Sequence, residues 1–572
     1  MKNTFLLLLL LPCFFFYSCN KRYEKISGYW ELTFSDSSES SKQILHFEKV
    51  KGSLLLTIDE PEDGTLEIPG EKPFFTNDSL NFESMWGLFS YNGEYIQDES
   101  VIRGNRYVNN SSPVPFVMRR ISERDLVYKI PRMNSNNERI LTYSYAVPML
   151  KQDGLECSSL KDSGIDSVTI SRLVSDILEG KISTIHSLLL AKDNKLVLEE
   201  YFHNYDCNTL HSLESVTKSV TSTLMGMAID RKLIQGVEEP VWHYLSDFDS
   251  TAWVREKYDV RIKHLLTMTA GIDWKSFTPG KANDDMDIYN SPDWIAYLLN
   301  KKLVDRPGSR FFYNNRLMFL QGYLLEEASG LSVNNYAKTY LFDELEITNF
   351  SWKVYDNGIT ETGGGLKLLP RDMMKFGLMY LNKGMWHGNQ LVSPEWIQAA
   401  TTRQVGAGNQ DYGYNWWIKN YNTNNSSVRV CYALGHGEQT IMIIPELNVV
   451  FVMTAGNYFQ TPQRLDEIMT EYILPALLYE GSSEGSTYTI PVEEIQGEYK
   501  TNGNEIISLK LSDSRLIGTD PSGAEFRLIQ TSPGTYRVEN SSMEVKFIVD
   551  TRGKVVMAEV YENGQRIDVL RR

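Results

Sequence analysis

The chain has 572 residues, of which 42% are hydrophobic and 23% are charged, as in an ordinary globular protein with several domains. This composition excludes a collagen-like repeat, a small disulfide framework and an extensively disordered chain. The formal net charge of −16 offers no basic surface to phosphate backbones, so we do not expect nucleic-acid binding.

The N-terminus is typical of an export signal. Lys2 precedes an apolar run over residues 5–17, which is shorter than the roughly 20 residues that span a bilayer but matches the hydrophobic region of a signal peptide. The run ends at Ser18 and Cys19, which resemble the lipidation site of a bacterial lipoprotein. We therefore expect a signal peptide over residues 1–18, a lipid anchor at Cys19 as the one link to a membrane, and a cell-envelope location, either periplasmic or outer-membrane. A plain secretory signal that is cleaved nearby is the alternative.

Three cysteines follow the expected anchor, namely Cys157, Cys207 and Cys431. Three is an odd number and too few for a disulfide framework, so at least one is unpaired or pairs with another chain. None of the eight histidines lies in an H-E-x-x-H motif, and no cysteine–histidine spacing fits zinc. We predict no metal and no cofactor.

The first predicted domain covers residues 19–150 and is all-β. Short alternating runs at 44–50 and 54–58 are separated by Lys51-Gly52, a typical hairpin break. Further strands are predicted at 79–82, 94–97 and 116–119. The pattern favours a small barrel or sandwich.

The second predicted domain covers residues 151–480 and is α+β. A strand hairpin is predicted at 185–191 and 196–201, and a long helix over 215–234. Further helices are predicted over 171–179, 293–300, 317–328, 334–341, 371–381 and 461–478, and strands over 428–433, 439–445 and 449–454. Strands on either side of a helical middle fit this class, and they fit α/β with a helical insertion equally.

A polar linker over residues 480–486 precedes the third predicted domain, which covers 487–572. Strand-like runs lie at 506–511, 536–538, 545–549 and 555–561, with turns at Arg552-Gly553 and Asn563-Gly564. This is a second small all-β domain.

Ser215 and Lys218 form an S-x-x-K motif at the start of the long helix. Positions three apart share one helix face, and a buried lysine beside a helix N-terminus can act as a base, because both conditions lower lysine pKa values. A serine hydroxyl needs such a base before it is a useful nucleophile. The motif also occurs at Ser18–Lys21, across the expected cleavage site, and at Ser158–Lys161, in a polar stretch, so alone it equally fits an ordinary helix start.

Two later segments could complete a site. A phenol at Tyr313 could relay protons, and an amide at Asn315 could position a substrate. Gly435, His436 and Gly437 lie between two predicted strands, where a close backbone approach could offer an N–H group to an oxyanion. Taken alone, the tyrosine is an ordinary amphipathic residue and the glycines are a hairpin turn.

In this order the three elements resemble the serine β-lactamase/penicillin-binding-protein superfamily, specifically its class C-like branch of esterases, amide hydrolases and peptidases. The surrounding sequence carries the resemblance over roughly residues 155–480. The similar segments are Leu213–Ser219, the I-K-H-L-L-T-M-T-A-G-I-D-W run at 262–274, Pro307-Gly308 with F-Y-N-N at 312–315, G-G-G-L at 363–366 with P-R-D-M at 370–373, and Pro445-Glu446-Leu447 with the strand that follows.

The resemblance implies that the central domain is an antiparallel sheet with a helical subdomain. It also implies that Ser215 is acylated and that Lys218 and Tyr313 share the base and acid roles. It implies an oxyanion hole from the backbone N–H groups of Ser215 and His436, with Asn315, Gly435 and Gly437 positioning the substrate. Ala433-Leu434-Gly435 replaces the usual K-T-G, so the lysine that meets a substrate carboxylate in penicillin-binding enzymes is missing.

Three further expectations follow from the resemblance. Glu438 stands where many relatives have glycine, and we expect it to crowd the cleft or repel anions. The flanking β-domains resemble lipocalin-like modules. The substrate is a small molecule or a short peptide.

We therefore expect an exported serine hydrolase that cleaves an ester or an amide through an acyl-enzyme. A β-lactamase or D,D-peptidase, and a non-catalytic binding protein on the same fold, are the alternatives.

Overall fold

A computed structural model describes most of the chain, in two compact units that divide between Tyr479 and Glu480. The signal peptide, Cys19 and the 480–486 linker, on which three sequence expectations rest, lie outside the described residues. The described residues are 23–34, 42–50, 52–61, 65–84, 89–108, 112–134, 136–278, 283–422, 427–458, 464–479, 492–512, 515–532, 534–539, 541–549, 554–562 and 565–572.

The N-terminal sheet has nine antiparallel strands in the order β4-β3-β2-β1-β9-β8-β7-β6-β5. Its edge strands β4 and β5 are separated in the chain by Gly70 alone, so the sheet curls into a nearly closed barrel. Buried aromatic residues such as Trp30, Phe47 and Phe116 fill its interior. The strands are β1 (Gly28–Phe34), β2 (Gln43–Val50), β3 (Ser53–Glu60), β4 (Thr65–Pro69), β5 (Glu71–Thr76), β6 (Ser79–Glu83), β7 (Phe89–Ile96), β8 (Val101–Val108) and β9 (Val114–Ile121).

The central sheet also has nine strands, in the order β10-β12-β11-β23-β22-β21-β20-β19-β18. All neighbours are antiparallel except β10 and β12, which run parallel. Its strands are β10 (Glu156–Cys157), β11 (Ile185–Lys192), β12 (Lys195–Tyr201), β18 (Val405–Ala407), β19 (Gln410–Tyr412), β20 (Trp417–Asn422), β21 (Ser427–Leu434), β22 (Thr440–Ile444) and β23 (Val449–Ala455).

Two small sheets accompany the central one. In the first, β15 (Leu366–Leu368) pairs with both β13 (His211–Ser212) and β14 (Phe350–Trp352). In the second, β16 (Met385–Trp386) pairs with β17 (Asn389–Gln390).

Helices cover both faces of the central sheet and form the helical subdomain. The α-helices of this unit are α1 (Ser167–Glu179), α2 (Thr217–Asp230), α3 (Ala252–Arg255), α4 (Ile262–Leu266), α5 (Asp284–Asp287), α6 (Trp294–Leu299), α7 (Leu317–Ser329), α8 (Val333–Ala337), α9 (Pro370–Leu381), α10 (Pro394–Ala400), α11 (Arg464–Ile468) and α12 (Leu474–Leu477). Single π turns lie at Lys338–Phe342 and Met469–Ile473, and 3-10 turns at Glu123–Asp125, Val127–Lys129, Glu214–Val216, Val241–Tyr244, Ser246–Phe248, Ile288–Asn290, His436–Glu438 and Pro445–Leu447.

An extended arm of residues 131–150 leads from the N-terminal sheet to the central sheet. Arg132 and Tyr143 both bind the Glu200 carboxylate, at 2.7 Å and 2.6 Å. Just past the arm, Asp153 pairs with the buried guanidinium of Arg371, which also binds Glu199 at 2.7 Å. Buried charges need such partners, so these pairs fix the path of the arm.

The second unit is a closed antiparallel barrel of eight strands. Lys500 pairs with Arg571 and closes the ring between its first and last strands. Helix α13 (Val492–Ile495) precedes the strands β24 (Gly497–Lys500), β25 (Ile506–Ser512), β26 (Arg515–Thr519), β27 (Glu525–Ser532), β28 (Thr535–Val538), β29 (Met543–Val549), β30 (Val555–Glu562) and β31 (Gln565–Arg571).

The predicted fold class, a central α+β part with all-β parts on either side, is confirmed. The observed ends of two helices differ from the predicted ones, because capping and turn formation set them. Helix α1 begins at Ser167, not at 171, because the Asp166 carboxylate caps the N–H groups of Val168 and Thr169 at 3.0 Å and 3.3 Å. The predicted helix over 215–234 begins with a 3-10 turn and ends its α-helical part at Asp230.

Within the described ranges, no helix is long and apolar enough to cross a bilayer.

His211 makes the stability of the first unit sensitive to acid. The ring is 3% exposed, its Nδ1 is 2.9 Å from the Ser212 carbonyl oxygen and its Nε2 is 2.8 Å from His186 Nδ1. Burial lowers the pKa of His211 from 6.5 to about 4, so the folded chain keeps it neutral while the unfolded chain binds a proton below 6.5. Its stabilising effect is complete above pH 6.5 and declines toward pH 4.

We predict that the unit loses about 2 kcal/mol of unfolding free energy between pH 6.5 and 5 through His211. Urea titrations at several pH values measure this slope. His211→Gln should reduce the slope by this amount, and part of the slope should remain because burial also lowers the pKa of His264 to about 4. An equal slope in the wild type and in His211→Gln contradicts the prediction.

Candidate active site

Ser215 lies in the 3-10 turn Glu214–Val216, between β13 and α2. The Leu213 N–H donates to Leu366 O at 2.9 Å, which continues the β13–β15 pairing up to the turn. Glu214 has a φ of +48°, an uncommon conformation for a residue other than glycine. The serine therefore stands on a sharply bent connection between a strand and a buried helix.

Lys218 is buried directly beside this serine. Its side chain is 1% exposed, and Nζ donates to Ser215 Oγ at 2.7 Å and to Gly363 O at 2.6 Å. Gly363 opens the glycine run at 363–365 that leads into β15, and its α-carbon lies against the backbone of Asn315. The predicted proximity of Ser215 and Lys218 is thus present, and the carbonyl of Gly363 is a partner that sequence reasoning did not identify.

Backbone hydrogen bonds bring Tyr313 to this pair from a distant segment. The N–H of Gly308 donates to Thr269 O, and the N–H of Phe312 donates to Met268 O, both at 2.8 Å. His264 is buried under Gly308 and caps its own helix by accepting from the Arg261 N–H at 3.1 Å. The two segments on which the resemblance rests, at 262–274 and 307–315, therefore hold each other and fix Tyr313.

The ring of Tyr313 lies over the lysine amine. Its centroid is 5.2 Å from Lys218 Nζ. On the same ring, Trp417 stacks at a centroid distance of 5.9 Å and an angle of 24°, and Tyr412 packs edge-on at 6.5 Å. Burial, reinforced by Tyr313, raises the pKa of Tyr412. Trp417 and Tyr412 were not identified from the sequence, because nothing in β19 and β20 marks them as neighbours of the tyrosine.

Gly435 brings the end of β21 against the serine turn. A Cβ atom at this position would lie 2.4 Å from Leu213 O and 3.0 Å from Glu214 Cβ, so only glycine allows the approach. His436 follows directly, and its ring Nε2 lies 3.0 Å from Tyr458 O. The arrangement places the backbone of His436 beside the Ser215 turn.

Gly437 has a φ of +76°, and a Cβ atom there would lie 2.8 Å from both Gln439 Nε2 and the Tyr458 ring. The backbone conformation and the close packing in the turn His436–Glu438 therefore both require glycine at this position.

Glu438 does not crowd the cleft, contrary to the expectation from the sequence. Its buried carboxylate accepts hydrogen bonds from Asn457 Nδ2 at 2.5 Å, from the Arg464 N–H at 3.1 Å and from the Leu465 N–H at 2.9 Å. Burial raises the pKa of Glu438. Glu438 therefore connects the turn beside His436 to the start of α11. The glycine motif gave no indication of this role.

Asn315 is exposed, whereas its neighbour Asn314 is buried and accepts from the Arg316 N–H at 2.8 Å. The carbonyl of Asn315 faces Gly363, whereas Lys218 Nζ donates to Ser215 Oγ and to Gly363 O and not to the Asn315 side chain. The positioning role expected for Asn315 stays a prediction. In the part of the chain that the structure describes, no three histidine, cysteine or acidic side chains converge as a metal site would need.

Comparisons with known proteins identify the family of this chain. The Beta-lactamase family model matches residues 173–472, more than half of the chain. The chain is 22% identical over 289 residues to 6-aminohexanoate-dimer hydrolase of Paenarthrobacter ureafaciens, which covers 46% of this chain and 71% of the relative. It is 25% identical over 240 residues to a β-lactamase of Escherichia coli, which covers 38% of this chain and 60% of that relative.

Among solved structures, a penicillin-binding protein homologue from Pyrococcus abyssi matches with 18% identity and a TM-score of 0.42, over 71% of this chain and 99% of that one. The family match spans the serine turn, the tyrosine segment and the glycine strand. The chain is a serine hydrolase and belongs to the β-lactamase/penicillin-binding-protein superfamily.

Proposed function

We propose that the chain is an exported, lipid-anchored enzyme that cleaves a carboxylic ester or a linear amide through an acyl-enzyme on Ser215. One observation carries the proposal, the 2.7 Å contact between Lys218 Nζ and Ser215 Oγ in a buried position beneath the Tyr313 ring. A buried amine next to a hydroxyl is the arrangement that activates a serine nucleophile.

The reaction follows from these contacts. Ser215 Oγ attacks the carbonyl carbon while its proton passes to Lys218 Nζ or Tyr313 Oη, and the oxyanion is stabilised by the backbone N–H groups of Ser215 and His436. The same pair returns the proton to the leaving alcohol or amine. Water then attacks the acyl-enzyme by the reverse path and releases the acid.

The walls of the site favour a neutral substrate. Ala433-Leu434-Gly435 stands where penicillin-binding enzymes have K-T-G, so no lysine occupies that position. The half-buried ring of Trp417 lies on the tyrosine side, where it offers apolar contact, and the buried Tyr412 ring packs against it. A relative named for cleaving an aminohexanoate dimer supports a linear amide or an ester of a small molecule or short peptide.

A β-lactamase or D,D-peptidase is the second candidate, since relatives carry those names. The missing third-motif lysine disfavours it. Nitrocefin turnover as fast as that of the best ester or amide would favour this candidate. The third candidate is a binding protein that does not turn over a substrate.

The first prediction concerns the nucleophile. A fluorophosphonate probe should label the folded chain, and Ser215→Ala should abolish both labelling and ester hydrolysis, because the serine oxygen forms the covalent bond. Ser158→Ala is the matched control, since it removes the serine of the second S-x-x-K copy. Gel fluorescence and hydrolysis of short acyl esters provide the measurements. Undiminished labelling of Ser215→Ala refutes the assignment, and no labelling of folded protein favours the binding protein.

A second prediction concerns the approach of β21 to the serine turn. Gly435→Ala should lower kcat by about 100-fold or more with little change in KM, because the added carbon displaces the oxyanion donor from the turn. Gly406→Ala, in β18 of the same sheet, meets only an ordinary contact at 3.5 Å and should retain activity. Wild-type kcat in Gly435→Ala would exclude the proposed oxyanion hole.

A third prediction concerns the anchor. Cells that express the full chain should incorporate radiolabelled palmitate into it and retain it in the membrane fraction, whereas Cys19→Ala should lose the label. Cys157→Ser is the matched cysteine control. Equal labelling of the wild type and Cys19→Ala would contradict a lipid anchor at Cys19.

A further inference from the structure

Lys151 and Cys207 form an unusually close side-chain pair outside the active site. Lys151 Nζ lies 2.8 Å from Cys207 Sγ, and both side chains are half-buried. Sulfur is larger than oxygen, yet this distance equals that of a short N–H···O hydrogen bond. The hydrogen bonds that involve sulfur at three other described residues are longer, at 3.7 Å for Cys157, 3.8 Å for Cys431 and 3.2 Å for Met318.

The backbone on both sides holds the pair in place. Two residues after Lys151, Asp153 is bound to Arg371 through Nε at 2.5 Å and Nη2 at 3.1 Å. Cys207 lies in a turn where Asp206 Oδ1 accepts from the Asn208 N–H at 2.9 Å and from Thr209 Oγ1 at 2.7 Å. Two segments that are separated by 56 residues are therefore fixed so that the amine meets the sulfur.

We propose that Lys151 and Cys207 are a redox-controlled cross-linking site, at which hydrogen peroxide inserts one oxygen atom between Nζ and Sγ. The separation is too long for a direct S–N bond and has the size that an oxygen bonded to both atoms would span. The link is independent of the proposed hydrolytic function.

The chemistry balances with hydrogen peroxide as the oxidant. One peroxide converts the thiol to a sulfenic acid and water. A second oxidises the sulfenic acid and the neighbouring amine to the N–O–S link, with release of two waters. In total, one S–H and one N–H bond break, S–O and O–N bonds form, and four electrons pass from the pair to two peroxides. Two molecules of a dithiol return four electrons, which restores the thiol and the amine and releases one water.

The link would tie the end of the arm at 131–150 to the turn that precedes β13 and the serine. It closes a loop of the unfolded chain, and such a covalent closure restricts the unfolded state and raises stability. The oxidised chain therefore gains thermal stability, which a reductant reverses.

The test treats the purified full chain with hydrogen peroxide and follows it by intact mass and peptide mapping. We expect a gain of about 14 Da, one oxygen added and two hydrogens lost, on a pair of joined peptides that contain residues 151 and 207. Dithiothreitol should separate the peptides. The melting temperature should rise by several degrees on oxidation and return on reduction.

Matched variants make the result specific. Cys157→Ser should keep the joined peptides and the shift in melting temperature. Lys151→Arg, which keeps the charge, and Cys207→Ser should lose both. A loss of about 2 Da, as for a disulfide or a direct S–N bond, overturns the proposal. Joined peptides that persist in Lys151→Arg, or oxidation at Cys207 without any joined peptide, overturn it equally.

Discussion

The site depends on the burial of one amine. Lys218 Nζ lies inside the protein, where a polar group without partners costs several kcal/mol. Ser215 Oγ and Gly363 O supply the partners, and the second comes from a segment 145 residues away. The contact that we propose activates the serine is therefore also a condition for folding this part of the chain.

Helix α2 can hold the Lys218 amine in this position because neighbouring segments surround the helix. All residues from Thr217 to Ala228 are buried, so the helix has no solvent face over that length. Its hydroxyl groups reach neighbouring segments, since Ser219 Oγ donates to Asn415 O at 2.6 Å and Thr221 Oγ1 donates to Thr362 O at 2.9 Å. These bonds fix the helix in rotation, which points Lys218 at the serine turn.

The sequence allowed prediction of what depends on local geometry. The spacing of Ser215 and Lys218 places them together because both lie within one helical turn, and alternating strands and glycine turns revealed the two all-β parts. Gly363, Trp417 and Tyr412 could not be found in this way, because their contacts with Lys218 and Tyr313 arise from tertiary packing alone. Glu438 was misinterpreted, since its partners in α11 lie 26 and 27 residues further along the chain.

Two backbone features bring the Ser215 turn and the end of β21 together. Glu214 holds a left-handed conformation, which costs a residue with a Cβ atom about 1 kcal/mol or more. Directly beside it, Gly435 lets β21 approach the carbonyl of Leu213. In the proposed oxyanion hole each feature has a use only with the other, because a Cβ atom at Gly435 would hold the end of β21 away from the serine turn and separate the two N–H donors.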